Sequence, residues 1–129
     1  MKIERFEDLE IWQEARELCK LIFRITSVGP FSKDFKFRDQ MRDAGGSIMD
    51  NIAEGFGRGG NQEFKNFLSI AKGSNDEVRS QSYRAFDFIY ISEETLNELL
   101  ERTDSISKKT SNFIQYLKNT SFKGPKFKR

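Results

Sequence analysis

The sequence predicts an all-α protein, an up-down-up-down antiparallel four-helix bundle, from three observations. Apolar residues recur at helical spacing along four segments, and no segment alternates with period two for long enough to indicate a strand. Pro30 and Pro125 are the only prolines in the 129 residues, so the chain between them holds no strong helix breaker. The connections between the four segments are short, which favours antiparallel neighbours. We expect one bundle domain over residues 1–119 and a basic, flexible tail over residues 120–129.

The first predicted helix runs from about Asp8 to Ser27, because apolar residues there recur in steps of three and four. This face consists of Ile11, Ala15, Leu18, Ile22 and Ile25, and it is widened by Trp12, Cys19 and Phe23. The second helix is predicted from Lys36 to Phe56, with Ser32 or Asp34 near its cap. Its inner line consists of Met41, Ala44, Ile48, Ile52 and Gly55.

Small residues on the second and third predicted helices indicate a close contact between them. The two helices are joined by the turn Gly57-Arg58-Gly59-Gly60-Asn61. The small residues are Ala44, Ser47, Ala53, Gly55, Ala71, Gly73 and Ser74. The adjacent Gly45 and Gly46 lower helix propensity by about 1 kcal/mol each, which predicts either a second close helix crossing or a hinge.

The third helix is predicted to begin after this turn with Asn61 as its cap, and the fourth to start at Ser92. The inner line of the third helix is Phe64, Leu68, Ala71, Val78, Ala85 and Ile89, diluted by Asn75 and Ser82. Its second apolar stripe is Tyr83, Phe86 and Tyr90. The seam of the fourth helix is Leu96, Leu99, Thr103, Ile106, Thr110, Phe113 and Leu117. One bundle core does not cover both stripes of the third helix, and Trp12 and Phe23 add apolar surface on the first, so we expect self-association.

Three motifs resemble those of the four helix bundle protein family, first recognised in intervening sequences of bacterial 23S ribosomal RNA genes and also called S23 ribosomal protein. They are Leu9–Ala15 (LEIWQEA), Ser47–Gly55 (SIMDNIAEG), and Glu63-Phe64 with Ile70–Ser74 (IAKGS). Met49 and Asp50 stand where this family often has proline and serine, so no proline kink is expected.

Members of this family are similar to the accessory protein of diversity-generating retroelements, a homopentameric barrel that binds nucleic acid and a reverse transcriptase. The resemblance therefore implies a homopentameric ring with a nucleic-acid role.

Positive charge is concentrated at the C-terminal end of the chain. Seven of the 22 Lys and Arg residues, and none of the 20 Asp and Glu residues, follow Asp104. The tail cations Lys123, Lys126, Lys128 and Arg129 are interleaved with Phe122 and Phe127, which predicts contacts with phosphates and unpaired bases. Arg58, Lys65, Lys72 and Arg79 follow at intervals of seven residues and predict a stripe that tracks a phosphate backbone. The alternative is a solvated face that Asp76 and Glu77 partly neutralise.

Asn51 and Glu54 lie beside the inner line of the second helix, where a polar group can fix helix register. Lys72 is the partner expected for Glu54. The predicted structural or interface set consists of Trp12, Asn51, Ala53, Glu54, Gly55, Ala71 and Gly73.

The sequence predicts no catalytic, cofactor or metal site. It contains no histidine, and the lone Cys19 lies in an apolar helical pattern typical of a core residue. Asp39, Asp43, Asp50 and Glu54 share one face of the second helix, and Glu14, Glu17, Glu54 and Glu77 are candidates for an all-carboxylate site. A solvated or interface-paired acidic face is the interpretation favoured over a metal centre.

The sequence as a whole predicts a non-enzymatic, homo-oligomeric protein of the cytoplasm, with no membrane segment or cofactor. RNA or DNA is the leading partner. The alternative is a structural or protein-interaction scaffold that binds no nucleic acid.

Overall fold

A computed structural model describes residues 3–120 and confirms the all-α prediction: within this range there are four long helices and no strand. The helices are α1 (Glu10–Ile25), α2 (Phe35–Arg58), α3 (Asn61–Asp87) and α4 (Glu93–Asn119). Short 3-10 helices at Phe6–Asp8 and Gly29–Lys33 precede α1 and α2. No helix in the described part of the chain combines the length and apolarity that crossing a membrane requires.

Each helix packs on the next one along the chain, and α1 closes the bundle against α4. Neighbours are antiparallel, since the start of α3 at Asn61 contacts the end of α4 at Thr120. The start of α1 at Glu10 likewise contacts Lys109 in the second half of α4. This is the up-down arrangement that the short connections predict.

The predicted inner lines of the four helices form the core, with three exceptions. Ile25 and Phe113 are half-buried, and Ile89 is 86% exposed. The prediction for Ile89 was wrong because α3 ends at Asp87 and Ile89 takes a left-handed φ of 62° in the turn that follows. The chain has already left the helical path there, so heptad spacing no longer places the side chain inside.

Two of the predicted helix caps are confirmed and one is wrong. The Asp34 carboxylate accepts a hydrogen bond from the backbone N–H of Phe37 at 3.3 Å, and Ser92 accepts one from Thr95 at 3.1 Å. The N-cap of α3 is Gly60, not Asn61. The Asn61 side chain donates instead to the backbone carbonyls of Leu117 at 3.2 Å and Thr120 at 2.6 Å. Asn61 therefore ties α3 to the end of α4.

The close contact between α2 and α3 is confirmed at Gly55. A Cβ at this position would lie 2.6 Å from the Cβ of Phe67. The hydroxyls of Ser47 and Ser74 meet across the same interface at 2.8 Å. Gly73 departs from the prediction, because it is exposed and a Cβ there would meet nothing within 4 Å. Its position on α3 turns it toward solvent and away from α2.

The glycine pair in α2 marks a second close crossing and not a hinge. A Cβ at Gly45 would lie 2.8 Å from the Ile22 Cδ1 of α1, whereas one at Gly46 would meet nothing within 4 Å. The helix continues through both residues, and through Met49 and Asp50, without interruption.

Polar residues fill part of the contact between α3 and α4. Asn75 and Ser82, which interrupt the apolar line of α3, are both buried, as is Thr103 of α4. The Asn75 amide donates to the Thr103 carbonyl at 2.8 Å. A buried asparagine that bonds across a helix pair favours one register, and Asn75 is placed to do so between α3 and α4.

Candidate nucleic-acid interface

Arg79, at one end of the predicted cationic stripe, takes part in the contact between α3 and α4. Arg79 is half-buried, and its guanidinium donates to the Leu100 carbonyl at 2.9 Å and to the Thr103 hydroxyl at 3.1 Å. These bonds direct Arg79 toward α4. Because the guanidinium bonds to these groups of the bundle, fewer of its N–H donors are available for a phosphate than the sequence predicts.

Arg58, at the other end of the stripe, is paired within its own helix. It donates to the Glu54 carboxylate at 2.7 Å, and its guanidinium lies 5.2 Å from the centre of the Phe67 ring. The prediction that Glu54 pairs with Lys72 was therefore wrong. Glu54 and Arg58 are four residues apart on α2, the separation at which helical side chains meet most readily.

Lys65 and Lys72 remain as the free centre of the stripe. Both are half-buried on α3, and within residues 3–120 neither makes an ion pair. Asp76 and Glu77, the expected neutralising residues, do not reach them, and Glu77 accepts instead from Gln81 at 3.4 Å.

The tail cations Lys123, Lys126, Lys128 and Arg129 lie outside the described residues. The structure does show where the chain reaches its last described residue. Thr120 is held by the 2.6 Å hydrogen bond from Asn61, in the first turn of α3. Arg58 and Lys65 flank Asn61 in the sequence, so the end of α4 lies where the stripe begins.

The predicted structural residues occupy several distinct environments. Ala71 is buried, Ala53 is half-buried, and half-buried Trp12 packs edge-on against Phe6 with ring centres 5.1 Å apart. Asn51 donates to the Ser47 carbonyl at 2.8 Å and to the Ser47 hydroxyl at 2.9 Å. Asn51 thus reaches α3 only indirectly, through the Ser47–Ser74 contact.

Carboxylates are not gathered into a metal-binding cluster anywhere in residues 3–120. Glu14, a candidate for an all-carboxylate site, pairs with Lys109 of α4, which also donates to Glu10 at 2.6 Å. Hydrogen bonds from Lys109 to Glu10 and Glu14 raise the pKa of the lysine. This bridge between α1 and α4 was not predicted, because its partners are far apart in the sequence.

Cys19 is half-buried, and burial, together with the nearby charge of Asp50, raises the pKa of its thiol to about 11. The thiol is therefore protonated at neutral pH, whereas nucleophilic cysteines have lowered pKa values.

A further set of cations was missed by the sequence reasoning. Arg16, Lys20 and Arg24 line the outer groove between α1 and α2, beside the exposed ring of Phe23. Their spacing of four residues was an available signal, but the helical pattern assigns Cys19 and Phe23, which line the groove with them, to the apolar face of α1.

Comparison with known proteins identifies the family. The model of the 23S rRNA-intervening sequence protein family matches residues 7–112. A solved structure of a protein with unknown function, from the S23 ribosomal protein family of Bacteroides thetaiotaomicron VPI-5482, has a similar fold with a TM-score of 0.74. The alignment covers 81% of this chain and 95% of that chain at 21% sequence identity, which supports the fold alone. A search of curated proteins found no match. Because the family model spans most of the chain and the fold agrees, this protein belongs to the 23S rRNA-intervening sequence protein family.

Proposed function

We propose that this protein is a non-enzymatic, self-associating helical bundle that binds nucleic acid, RNA in particular. Lys65, Lys72 and the basic residues after Thr120 provide the binding surface. The observation that carries this proposal is the hydrogen bond of 2.6 Å from Asn61 to the Thr120 carbonyl. It fixes the last described residue of the chain beside the start of α3.

This placement brings the point at which the basic segment begins close to the start of α3. The segment after Thr120 has four cations and no acid, while Lys65 and Lys72 have no ion-pair partner in the described part of the chain. Two sets of cations that contact one strand neutralise more phosphates together than either set alone, and each contact releases counterions.

Exposed apolar residues support self-association. Large apolar side chains remain exposed on and just after α3, among them Ile70 at 53%, Tyr83 at 46% and Phe88 at 50%, and a partner subunit that covered them would remove this apolar surface from water. We propose the homopentameric ring that the family resemblance implies. Light scattering behind size exclusion measures the mass directly. A monomer at micromolar concentration would contradict self-association, and a dimer would contradict only the pentamer.

The non-enzymatic part of the proposal rests on the absence of histidine from the sequence and on the protonated state of Cys19. A single cysteine forms no internal disulfide, which fits the cytoplasmic location that we propose.

Titration with labelled single-stranded RNA at two salt concentrations tests nucleic-acid binding. The full chain is compared with a chain ending at Thr120, which keeps the hydrogen bond from Asn61 but removes the four tail cations. If all four contact phosphate, the logarithmic salt slope should shrink by about 3 for each tail, at about 0.7 per phosphate. Identical slopes for the two proteins would remove the tail from the interface.

The second candidate is a protein-interaction scaffold, favoured by the same exposed apolar residues. It predicts no binding to RNA even at low salt, because the described body is weakly acidic and repels a polyanion. The titration therefore separates the two functions.

A further inference from the structure

The groove between α1 and α2, on the outside of the bundle, combines cations with an exposed aromatic ring. Its volume is about 480 Å³, and it is lined by Arg16, Cys19, Lys20, Phe23, Arg24 and Met49. Cys19 and Met49 are half-buried, whereas Arg16, Lys20, Phe23 and Arg24 are exposed.

We propose that this groove is a binding site for a single strand of nucleic acid, in which Arg16, Lys20 and Arg24 contact successive phosphates while Phe23 stacks on a base. The inference rests on the proposed function and adds a site on α1, the helix diagonally opposite α3 in the bundle.

The cations form a regular row along α1. Residues four apart on a helix are separated by about 6 Å along the axis, which is close to the spacing of successive phosphates in an extended strand. Arg16 and Arg24 make no ion pair within residues 3–120. Lys20 pairs with Glu17 at 3.2 Å, but both side chains are at least half exposed, so this pair is weak and a phosphate can displace it.

The Phe23 ring is held in a defined orientation. The Arg42 guanidinium lies 4.5 Å from the centre of the ring and is itself fixed by hydrogen bonds to Thr26 Oγ1 at 2.8 Å and Ser27 Oγ at 3.0 Å. The ring remains 60% exposed despite this contact. An aromatic ring beside cations is the arrangement on which proteins stack unpaired bases without reading their sequence.

The two ends of this row are less committed to the bundle than the two ends of the stripe on α2 and α3. Arg58 pairs with Glu54 and Arg79 donates to α4, whereas within residues 3–120 Arg16 makes no ion pair and lies 5.8 Å from the centre of the Trp12 ring. Glu17 and Asp50 oppose the row: Glu17 pairs with Lys20, and the charge of Asp50 acts on Cys19, which lines the groove. Removing either negative charge should therefore raise the affinity for nucleic acid. The site can thus be tested both by variants that weaken binding and by variants that strengthen it.

The experiment is a titration of labelled oligouridine with the full chain and its variants at two salt concentrations. The double variant Arg16→Gln, Arg24→Gln should reduce the logarithmic salt slope by about 1.4 in each subunit. Phe23→Leu should weaken binding about fivefold or more and leave the slope unchanged, because it removes stacking without removing charge. Glu17→Gln and Asp50→Asn should each tighten binding.

Matched controls lie elsewhere on the surface. Arg102→Gln with Lys108→Gln removes the same charge from α4, where both residues pair with acids of their own helix. Phe35→Leu removes an aromatic ring that is 64% exposed at the start of α2. Neither control should change binding as much as its counterpart on α1. Thermal melting of every variant confirms that the bundle is folded.

The outcomes separate this inference from the proposed function. Unchanged binding by the α1 variants, with loss of binding on truncation after Thr120, overturns the groove site but keeps the function. No binding by the unaltered chain at low salt overturns both. If the arginine variants bind weakly but Phe23→Leu binds normally, the site as proposed is wrong. A change in oligomer mass for Phe23→Leu would show that the groove instead holds a second copy of the chain.

Discussion

Alanine substitution at four glycines should separate close helix crossings from open helix surface. All four sites, Gly45, Gly46, Gly55 and Gly73, lie inside α2 or α3 and have negative φ angles. Alanine therefore gains about 1 kcal/mol of helix propensity at each of them. The four variants should therefore differ in free energy of unfolding only through the contacts that the new methyl group makes.

At Gly55 the new Cβ would lie 2.6 Å from the Cβ of Phe67 and 3.1 Å from the Cδ1 of Phe64. Carbon atoms normally approach to about 3.5–4.0 Å, so α2 and α3 would have to separate by about 1 Å. The Cβ of Phe67 is fixed to its backbone and cannot rotate away. Overpacking costs about 1–3 kcal/mol, and this rigid contact places Gly55→Ala at the upper end, for a net loss of about 2 kcal/mol.

At Gly46 and Gly73 nothing lies within 4 Å of the new Cβ, so both variants should be stabilised by about 1 kcal/mol. Gly45→Ala should be nearly neutral, because its contact at 2.8 Å is the terminal methyl group of Ile22, which can rotate. Urea denaturation at one protein concentration measures these differences. In thermal melts Gly55→Ala and Gly73→Ala should differ by about 10 °C. Equal stabilities for these two variants would refute the close crossing of α2 and α3.

Three further predictions concern single residues. Ile89 occupies the left-handed position that follows α3, so Ile89→Gly should raise the free energy of unfolding by about 1 kcal/mol in urea denaturation. Asp34 caps α2 and accepts from the Tyr90 hydroxyl at 2.9 Å, so Asp34→Ala should lower the same free energy by about 2 kcal/mol. The pKa of Lys109 is raised above 10.5 by its hydrogen bonds to Glu10 and Glu14, so its pairing stabilises the fold below that pH. This stability is lost as pH rises through the raised pKa, and melting temperatures across the alkaline range should show a smaller decline for Lys109→Met than for the unaltered chain.

The family motifs and apolar spacing were sufficient to predict four helices and most of their buried faces. The periodicity of a helix is local, so residues such as Met41, Ile48 and Ile52 reveal the inner line of α2 without knowledge of its neighbours. The cap at Ser92 and the close approach at Gly55 were predictable for the same reason, since both depend on residue types at short spacing.

Residue spacing could not predict which polar groups meet between helices. Asn61 resembles a cap, yet it bonds to Thr120 because the end of α4 lies beside it only in the folded bundle. Arg79 fits a basic stripe, yet it bonds to Leu100 across the α3–α4 contact. Gly45 and Gly46 differ by one position, and the rotation of about 100° per residue turns one toward Ile22 and the other toward open space. The sequence by itself determined the buried face of each helix. Only the tertiary structure decided which polar residues distant in the chain pair with each other, and hence which cations remain free for a ligand. The physical reason is that the rotation and axial position of each helix depend on its neighbours.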